Sequence, residues 1–584
     1  MPKIQKRLVN EVAYQNLVSM DIPSVLARLF AARNIHSAEQ ISTELTHLYK
    51  PDVMRDINKA ASLLADAIEA KQKLLVVADY DADGATACAV AIRGLRALGA
   101  DCDYLVPNRF EFGYGLTPEI VQLAYTKKPD WLITVDNGIA SVDGVSEANR
   151  LGMKVIVTDH HLPGDTLPLA EAIVNPNQQG CEFPSKNLAG VGVIFYVLLA
   201  LRVELRSRQR FVSTSKYSFY ENKDPYNENQ LEPNIGDLLD IVALGTVADV
   251  VKLDDNNRRL VAQGLARIRA GKTCVGIRAL LHVAGKKIEQ VSAYEMGFIL
   301  GPRLNAAGRL NDMSLGIECL ITNDAGRALE IAAQLDSLNR ERREIEADMQ
   351  ATALLKLETI DPHENYTISV FEPDWHQGVI GIVASRLKDK FHRPTITFAR
   401  GSDGILKGSG RSIATLHLRD TLDLIAKRYP GLIIKFGGHA AAAGLSIPES
   451  RFDDFVHAFE TVAQSLLEPS DLTQVIETDG ELGDGELTLE LTQSMQRIVW
   501  GQGFSAPKFD GVFMVEEQKV VGEKHLKLTL LTLQRNRYDA ILFFQESYVP
   551  QKIRAVYRPD INEYNGSRRL QLIVEYWEPD DMLS

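Results

Sequence analysis

The chain has 584 residues, 45% hydrophobic and 24% charged, with a formal net charge of −13. That length exceeds one hydrophobic core and predicts about 3 or 4 domains. The acidity argues against a uniformly basic nucleic-acid sleeve but leaves room for a basic groove on an acidic body. Cys88, Cys102, Cys181, Cys274 and Cys319 are scattered without a CxxC pair, which reads as reduced, mostly buried thiols of a cytosolic protein. No signal segment opens the chain, and no apolar run approaches the ~20 residues of a membrane span. A soluble, cytoplasmic protein is expected.

In chain order, three short runs share one pattern: residues 74–79 (LLVVAD), 131–136 (WLITVD) and 154–159 (KVIVTD). Each is largely apolar and rich in β-branched residues, as in a strand buried on both faces of a parallel sheet. Helical patterns at 86–98 and 141–151 alternate with them and predict a doubly wound α/β domain. A polar, aperiodic stretch at 206–233 reads as a surface insertion. Residues 325–357, rich in Ala, Leu, Glu and Arg and free of Pro, predict one long linking helix. A smaller α/β unit follows, with strands near 367–371 and 395–398 and a helix near 379–390. Gly-rich turns are expected at 408–412 and 437–444. Alternating runs at 512–521, 526–533, 538–544, 553–557 and 570–576, with an Asn565-Gly566 hairpin turn, predict a barrel of OB type. The expected division is 1–320, 321–360, 361–466 and 467–584.

All three buried strands end in aspartate, and in open parallel sheets ligands sit outside the carboxyl ends of the strands. The first continues as DYDADG, adding Asp81 and Asp83 to Asp79; the second gives Asp136-Asn-Gly; the third gives Asp159-His160-His161. So many carboxylates in one crevice repel unless cations neutralise them. Oxygen ligands with imidazole and no thiolate favour two Mg²⁺ or Mn²⁺ ions over structural zinc. With such ions bound, a water is activated and the leaving oxygen of a phosphodiester is stabilised.

These motifs, with Gly245-Thr-Val-Ala-Asp249 as a fourth, resemble those of the DHH phosphoesterase superfamily. The resemblance implies Asp81, Asp83, Asp136, His160 and Asp249 as metal ligands. It implies His161 on the scissile phosphate, with Asp79 and Asp159 as supports. Spacing alone leaves Asp240 as a rival to Asp249; the family pattern favours Asp249.

Further motifs narrow the likeness to the RecJ type. Asn305-Ala-Ala-Gly-Arg309 resembles the segment whose arginine engages a terminal 5′-phosphate; an Arg on a Gly-flanked turn offers a bidentate fork. Gly408-Ser409-Gly-Arg411-Ser412 and Gly437-Gly438-His439-Ala-Ala-Ala-Ala-Gly444 resemble the substrate-binding turns of a DHHA1 domain, where backbone N–H groups approach phosphate oxygens. Trp375-His-Gln-Gly-Val-Ile-Gly381 fits the same domain. Arg109 and Tyr114, in an aromatic loop at 107–115, are candidates for contact with DNA. Basic and aromatic residues interleave in the expected barrel and suit a single strand. Gly190-Val-Gly192 is too short for a dinucleotide fingerprint and receives no role.

The resemblance covers nearly the whole chain. It implies a metal-dependent 5′→3′ exonuclease that degrades single-stranded DNA to mononucleotides in recombination and repair. It also implies a monomer that works with single-strand-binding protein and a DNA helicase. Two rival readings are a small-substrate DHH hydrolase, which needs no barrel, and a scaffold with a retired site, against which the full ligand set argues.

Overall fold

The structure is a computed structural model and describes residues 2–107, 115–211, 231–310, 312–357, 364–483, 485–522, 524–564 and 567–580. Arg109, Tyr114, most of the polar stretch and the Asn565-Gly566 turn lie outside them. Among the described residues no helix is long and apolar enough to cross a membrane. The chain divides into two compact units, one of residues 6–336 and 477–584, the other of residues 1–5 and 337–476.

In the larger unit, β1 (Lys73–Ala78), β2 (Asp101–Leu105), β3 (Trp131–Val135), β4 (Lys154–Thr158) and β5 (Ala172–Val174) form a wholly parallel sheet. Its order is β2-β1-β3-β4-β5. Sequence periodicity reveals β1, β3 and β4, which are buried along most of their lengths. It does not reveal β2, a half-exposed edge strand, or β5, which is three residues long. The connections run from β1 to one side and then back past it to β3. That reversal opens a crevice between the carboxyl ends of β1 and β3.

Helices α1 (Ala82–Ala97) and α2 (Val142–Arg150) follow β1 and β3, and α1 starts four residues earlier than its apolar pattern suggests. The apolar α3 (Gly190–Ser207) and α4 (Leu239–Ala248) are buried along most of their lengths. α5 (Gly301–Leu310) carries the NAAGR motif, and α6 (Ala325–Leu357) is the long helix expected from composition. The unit boundary falls inside α6, after Asp336.

In the smaller unit, β6 (Ile368–Glu372), α7 (Ile380–Phe391), β7 (Thr395–Arg400), β8 (Ile405–Arg411), β9 (Lys435–Gly438) and β10 (Ala442–Pro448) build a sheet of order β9-β10-β8-β7-β6. One expectation is corrected here: residues 408–411 are strand β8, not a turn. Gly408 serves packing, since a Cβ there would lie 2.6 Å from Leu445 and Phe398 side-chain atoms. Residues 437–444 are a β9–β10 hairpin, with only His439–Ala441 in its turn.

Strands β11 (Phe509–Val521), β12 (His525–Leu531), β13 (Arg537–Phe543), β14 (Lys552–Tyr564) and β15 (Ser567–Pro579) close a barrel of order β11-β12-β13-β15-β14, as the OB expectation requires. The barrel belongs to the same unit as the first sheet. Arg33 makes a bidentate ion pair with Asp479 at 2.8 and 2.9 Å, and its guanidinium sits 5.1 Å from the Trp500 ring centre. Trp500 stacks on Phe504, and Leu253 N donates to Gln502 O at 2.7 Å. Residues 501–504 are therefore a docking seam. Arg33 and Asp479 side chains are 3% and 2% exposed, so removing one partner strands a buried charge. Asp479→Ala is expected to destabilise this unit by ~3–5 kcal/mol; thermal melting and limited proteolysis at the seam measure it.

Candidate active site at the sheet switch point

The acidic and histidine residues of the four motifs converge on the crevice between β1 and β3. Asp79, Asp81 and Asp136 offer oxygens within 4.8 Å of one another, and the carboxylate oxygens and ring nitrogens of Asp83, His160 and Asp249, and of Asp136, His160 and His161, lie equally close. His160 Nε2 is the hub, 3.1 Å from Asp136 Oδ1, 3.5 Å from Asp249 Oδ2 and 3.9 Å from Asp83 Oδ2.

Backbone groups hold these side chains. Asp81 caps α1 by accepting from Gly84 N at 3.0 Å. Asp83 accepts from Gly190 N (2.6 Å) and Val191 N (3.0 Å), the free N–H groups at the start of α3, where a carboxylate also meets the positive helix end. Gly190 is a residue the sequence reading missed. A Cβ there would lie 2.6 Å from Asp136 Cβ and 2.7 Å from its Oδ1, so only glycine lets α3 approach. A glycine opening an apolar helix was the available signal, but the Asp83 carboxylate that it meets lies 107 positions away.

Asp159 accepts from Ile139 N (2.9 Å) and His160 N (2.7 Å) and holds His161 Nδ1 at 2.8 Å. Asn175 and Asn177, just after β5, donate to the carbonyls of His161 (2.9 Å) and His160 (2.6 Å). Asn137 Nδ2 bridges Val77 O (3.2 Å) and Val135 O (2.9 Å), tying β1 to β3 at the switch. Asn175 and Asn177 were not legible, because the strand that positions them was not.

Asp249 caps the end of α4, and Val250 follows at φ 62°, a left-handed conformation that a β-branched residue rarely adopts. Asp240 is structural instead. It is fully buried and accepts from Thr273 Oγ1 and Cys274 N, both at 2.8 Å.

Electrostatics set the chemistry. Burial, then neighbouring aspartate charge, holds Asp136 and Asp249 well above the usual carboxylate range and pushes Asp83 up to about 7. Burial, then the charge on His161, pushes His160 down to about 4, leaving a neutral imidazole. Burial acts downward on His161 too, but its bond to Asp159 and the acidic surroundings raise it to about 9. Among the described residues His160 Nε2 and Asp249 Oδ2 are buried without a hydrogen-bond partner. Excess oxygen donors, an open imidazole nitrogen and no thiolate in the cluster fit hard divalent cations.

The NAAGR motif lies on a helix, which corrects the expected turn. Asn305 Oδ1 accepts from Ala82 N at 2.8 Å, and Gly308 packs directly on the Tyr80 carbonyl. Arg309, half-buried, follows on the same helix. In the smaller unit, the two Gly-rich motifs lie side by side: Ala442 pairs with Arg411 and Gly444 with Ser409. Gly437 and Gly438 end β9, Gly438 at φ 146°, and His439 opens the turn. Arg411 donates to Gly410 O at 2.8 Å and Ser409 Oγ at 3.3 Å, and burial lowers its pKa with no carboxylate among the described residues acting on it.

Family models match three stretches: the DHH family N-terminal domain at residues 73–246, the DHHA1 domain at 363–465 and the RecJ OB domain at 478–576. The single-stranded-DNA-specific exonuclease RecJ of Dickeya dadantii is 47% identical over 569 residues, 96% of each chain. The chain belongs to the RecJ family. The Escherichia coli RecJ is 45% identical, covering 98% of each chain. The crystal structure of Thermus thermophilus RecJ in complex with Mn²⁺ superposes with a TM-score of 0.80 at 27% identity, covering 99% of this chain and 79% of that one. The RecJ fold thus supplies the frame in which these carboxylates meet.

Crowded carboxylates cost the metal-free protein stability. In chelator, Asp136→Asn or Asp249→Asn is expected to raise the melting temperature, by ~1–2 kcal/mol of relieved repulsion and desolvation. Asp240→Ala in the same melt is expected to cost ~2–4 kcal/mol through its abandoned donors. A loss of stability in both aspartate-to-asparagine variants would place those side chains outside a repelling cluster.

Proposed function

We propose that this chain is a two-metal exonuclease that degrades single-stranded DNA from the 5′ end to 5′-mononucleotides, in recombination and repair. The observation that carries this reading is the convergence on His160 Nε2 of carboxylates from three motifs distant in sequence, in a RecJ chain that also carries DHHA1 and OB domains.

Asp81, Asp83, Asp136, His160 and Asp249 hold the two ions, Mg²⁺ or Mn²⁺, with Asp79 beside them. When bound, the ions supply an activated water and neutralise charge at the phosphate. The residues of the chain do the rest. Asp159 fixes the His161 ring and keeps it protonated, so His161 donates to a non-bridging oxygen of the scissile phosphate as negative charge develops there. α3 keeps the Asp83 carboxylate oriented through two N–H groups, so the site needs no rearrangement when substrate arrives.

Arg309 grips the terminal 5′-phosphate through its guanidinium fork. Its helix touches the acidic loop, which fixes the distance between chain end and cleaved bond. Arg411, a half-buried cation without a carboxylate among the described residues acting on it, takes a DNA phosphate together with Ser409, Gly437, Gly438 and His439. Arg109 and Tyr114, which lie outside the described residues, contact the strand, and the barrel binds the single strand farther on. A monomer working beside single-strand-binding protein and a DNA helicase accompanies this reading.

Because the barrel is docked through Arg33, Trp500 and Phe504, point substitutions test the reading better than truncation. With 5′-labelled single-stranded DNA and Mn²⁺, Asp81→Ala and His160→Ala are expected to lower mononucleotide release by roughly 10³-fold or more with the fold intact by circular dichroism. Retained turnover in either would put the metal centre elsewhere. Arg309→Ala is expected to shrink the preference for phosphorylated over hydroxyl 5′ ends by about ten-fold or more. An unchanged ratio removes that role from Arg309.

A further inference from the structure

The helix leading into α5 carries two aromatic side chains with no part in the chemistry above. Ala293–Glu295 begin it, Met296–Leu300 form a π turn, and α5 continues from Gly301. The π turn has a cause in Pro302. Proline has no N–H to donate, and its ring crowds the carbonyl four residues back, that of Phe298, so the helix widens. Tyr294 and Phe298, one turn apart, stack with ring centres 4.9 Å apart and planes 27° from parallel. They are 57% and 69% exposed, an unusual amount of adjoining aromatic surface to leave in water.

Their neighbours place them on a route. Gly297 packs against Val247 and Gly301 against Ala248, the residues just before Asp249. Along the same helix, Asn305 and Gly308 touch the acidic loop. In the other direction, Gln290 Nε2 donates to Glu563 Oε2 of barrel strand β14 at 3.2 Å. Tyr294 and Phe298 precede Asn305 and Arg309 on one continuous helix, so the ring pair lies on the element that carries Arg309. Phe298 stands about 10 Å along the axis from Asn305. Lys286 and Lys287 are exposed just upstream.

We propose that Tyr294 and Phe298 are a base-stacking platform for single-stranded DNA on the 3′ side of the scissile bond, between the cleavage centre and the barrel. The proposal rests on the exonuclease reading above. Paired rings raised on a convex helix suit flat bases, which stack irrespective of sequence, and continuity with both the acidic cluster and the barrel selects a nucleic-acid strand as occupant.

The test compares wild type with the Tyr294→Ala/Phe298→Ala double variant on two 5′-phosphorylated substrates, a dinucleotide and a long single strand. The long strand's KM is expected to rise about ten-fold or more, with kcat and dinucleotide hydrolysis unchanged. Tyr294→Trp/Phe298→Trp is expected to restore the long-strand KM. Equal losses on both substrates, or no change on either, would overturn the platform. Binding of long single-stranded DNA in Ca²⁺, read by 2-aminopurine quenching at successive positions, reports stacking without turnover. Position-dependent quenching lost in the alanine variant supports the platform even if wild type releases no mononucleotide, the result that would sink the exonuclease reading alone. Quenching unaltered in that variant sinks the platform.

Discussion

Negative charge crowded into a buried crevice is the constraint from which the rest of this structure follows. Asp83, Asp136 and Asp249 surround one neutral imidazole, and Asp79 and Asp81 join the cluster at Asp136, and burial with mutual repulsion drives several of them far above their usual proton affinity. A fold can hold such a set only by meeting each carboxylate with fixed donors or by handing it to a cation. The cluster divides between the two. Asp83 and Asp159 are met by backbone N–H groups, while Asp249 keeps a buried oxygen without a hydrogen-bond partner among the described residues.

The scaffold around the crevice is organised by that division. Parallel strand order brings the ends of β1 and β3 together, and Asn137 ties them. α3 presents its N-terminus to Asp83, at the closeness only Gly190 permits. The two histidines are driven apart in proton affinity although their rings lie 4.4 Å from each other. Asp159 claims one as a cation, and burial keeps the other neutral. One residue type thus presents a neutral ring with an open nitrogen and a protonated ring at adjacent positions, by environment alone.

Domain order along the chain differs from domain grouping in space. The barrel follows the DHHA1 domain in sequence yet forms one compact unit with the first sheet, through the Arg33–Asp479 pair and the rings of Trp500 and Phe504. The barrel is thereby held to the unit that cuts, and the chain segment between the two domains folds as a separate unit.

Much of this was written in the local sequence. Buried parallel strands announce themselves by apolar β-branched runs, and the aspartates that end them are local features, so Asp79, Asp136 and Asp159 could be named with their neighbours. The barrel strands and the long helix were legible for the same reason, since their periodicity repeats within a few residues. What depended on distant parts of the chain was not legible. The edge strand β2 and the three-residue β5 lack a pattern, so Asn175 and Asn177 went unseen. Gly408 and Arg309 suggested turns because glycine marks turns as readily as close packing, and only the neighbouring layer distinguishes the two. Spacing left Asp240 and Asp249 as rivals; in the fold Asp249 lies beside His160, whereas Asp240 meets Thr273 and Cys274. Local sequence specifies which groups are chemically able to act, whereas the pairing of strands and helices far apart in the chain specifies which of them meet.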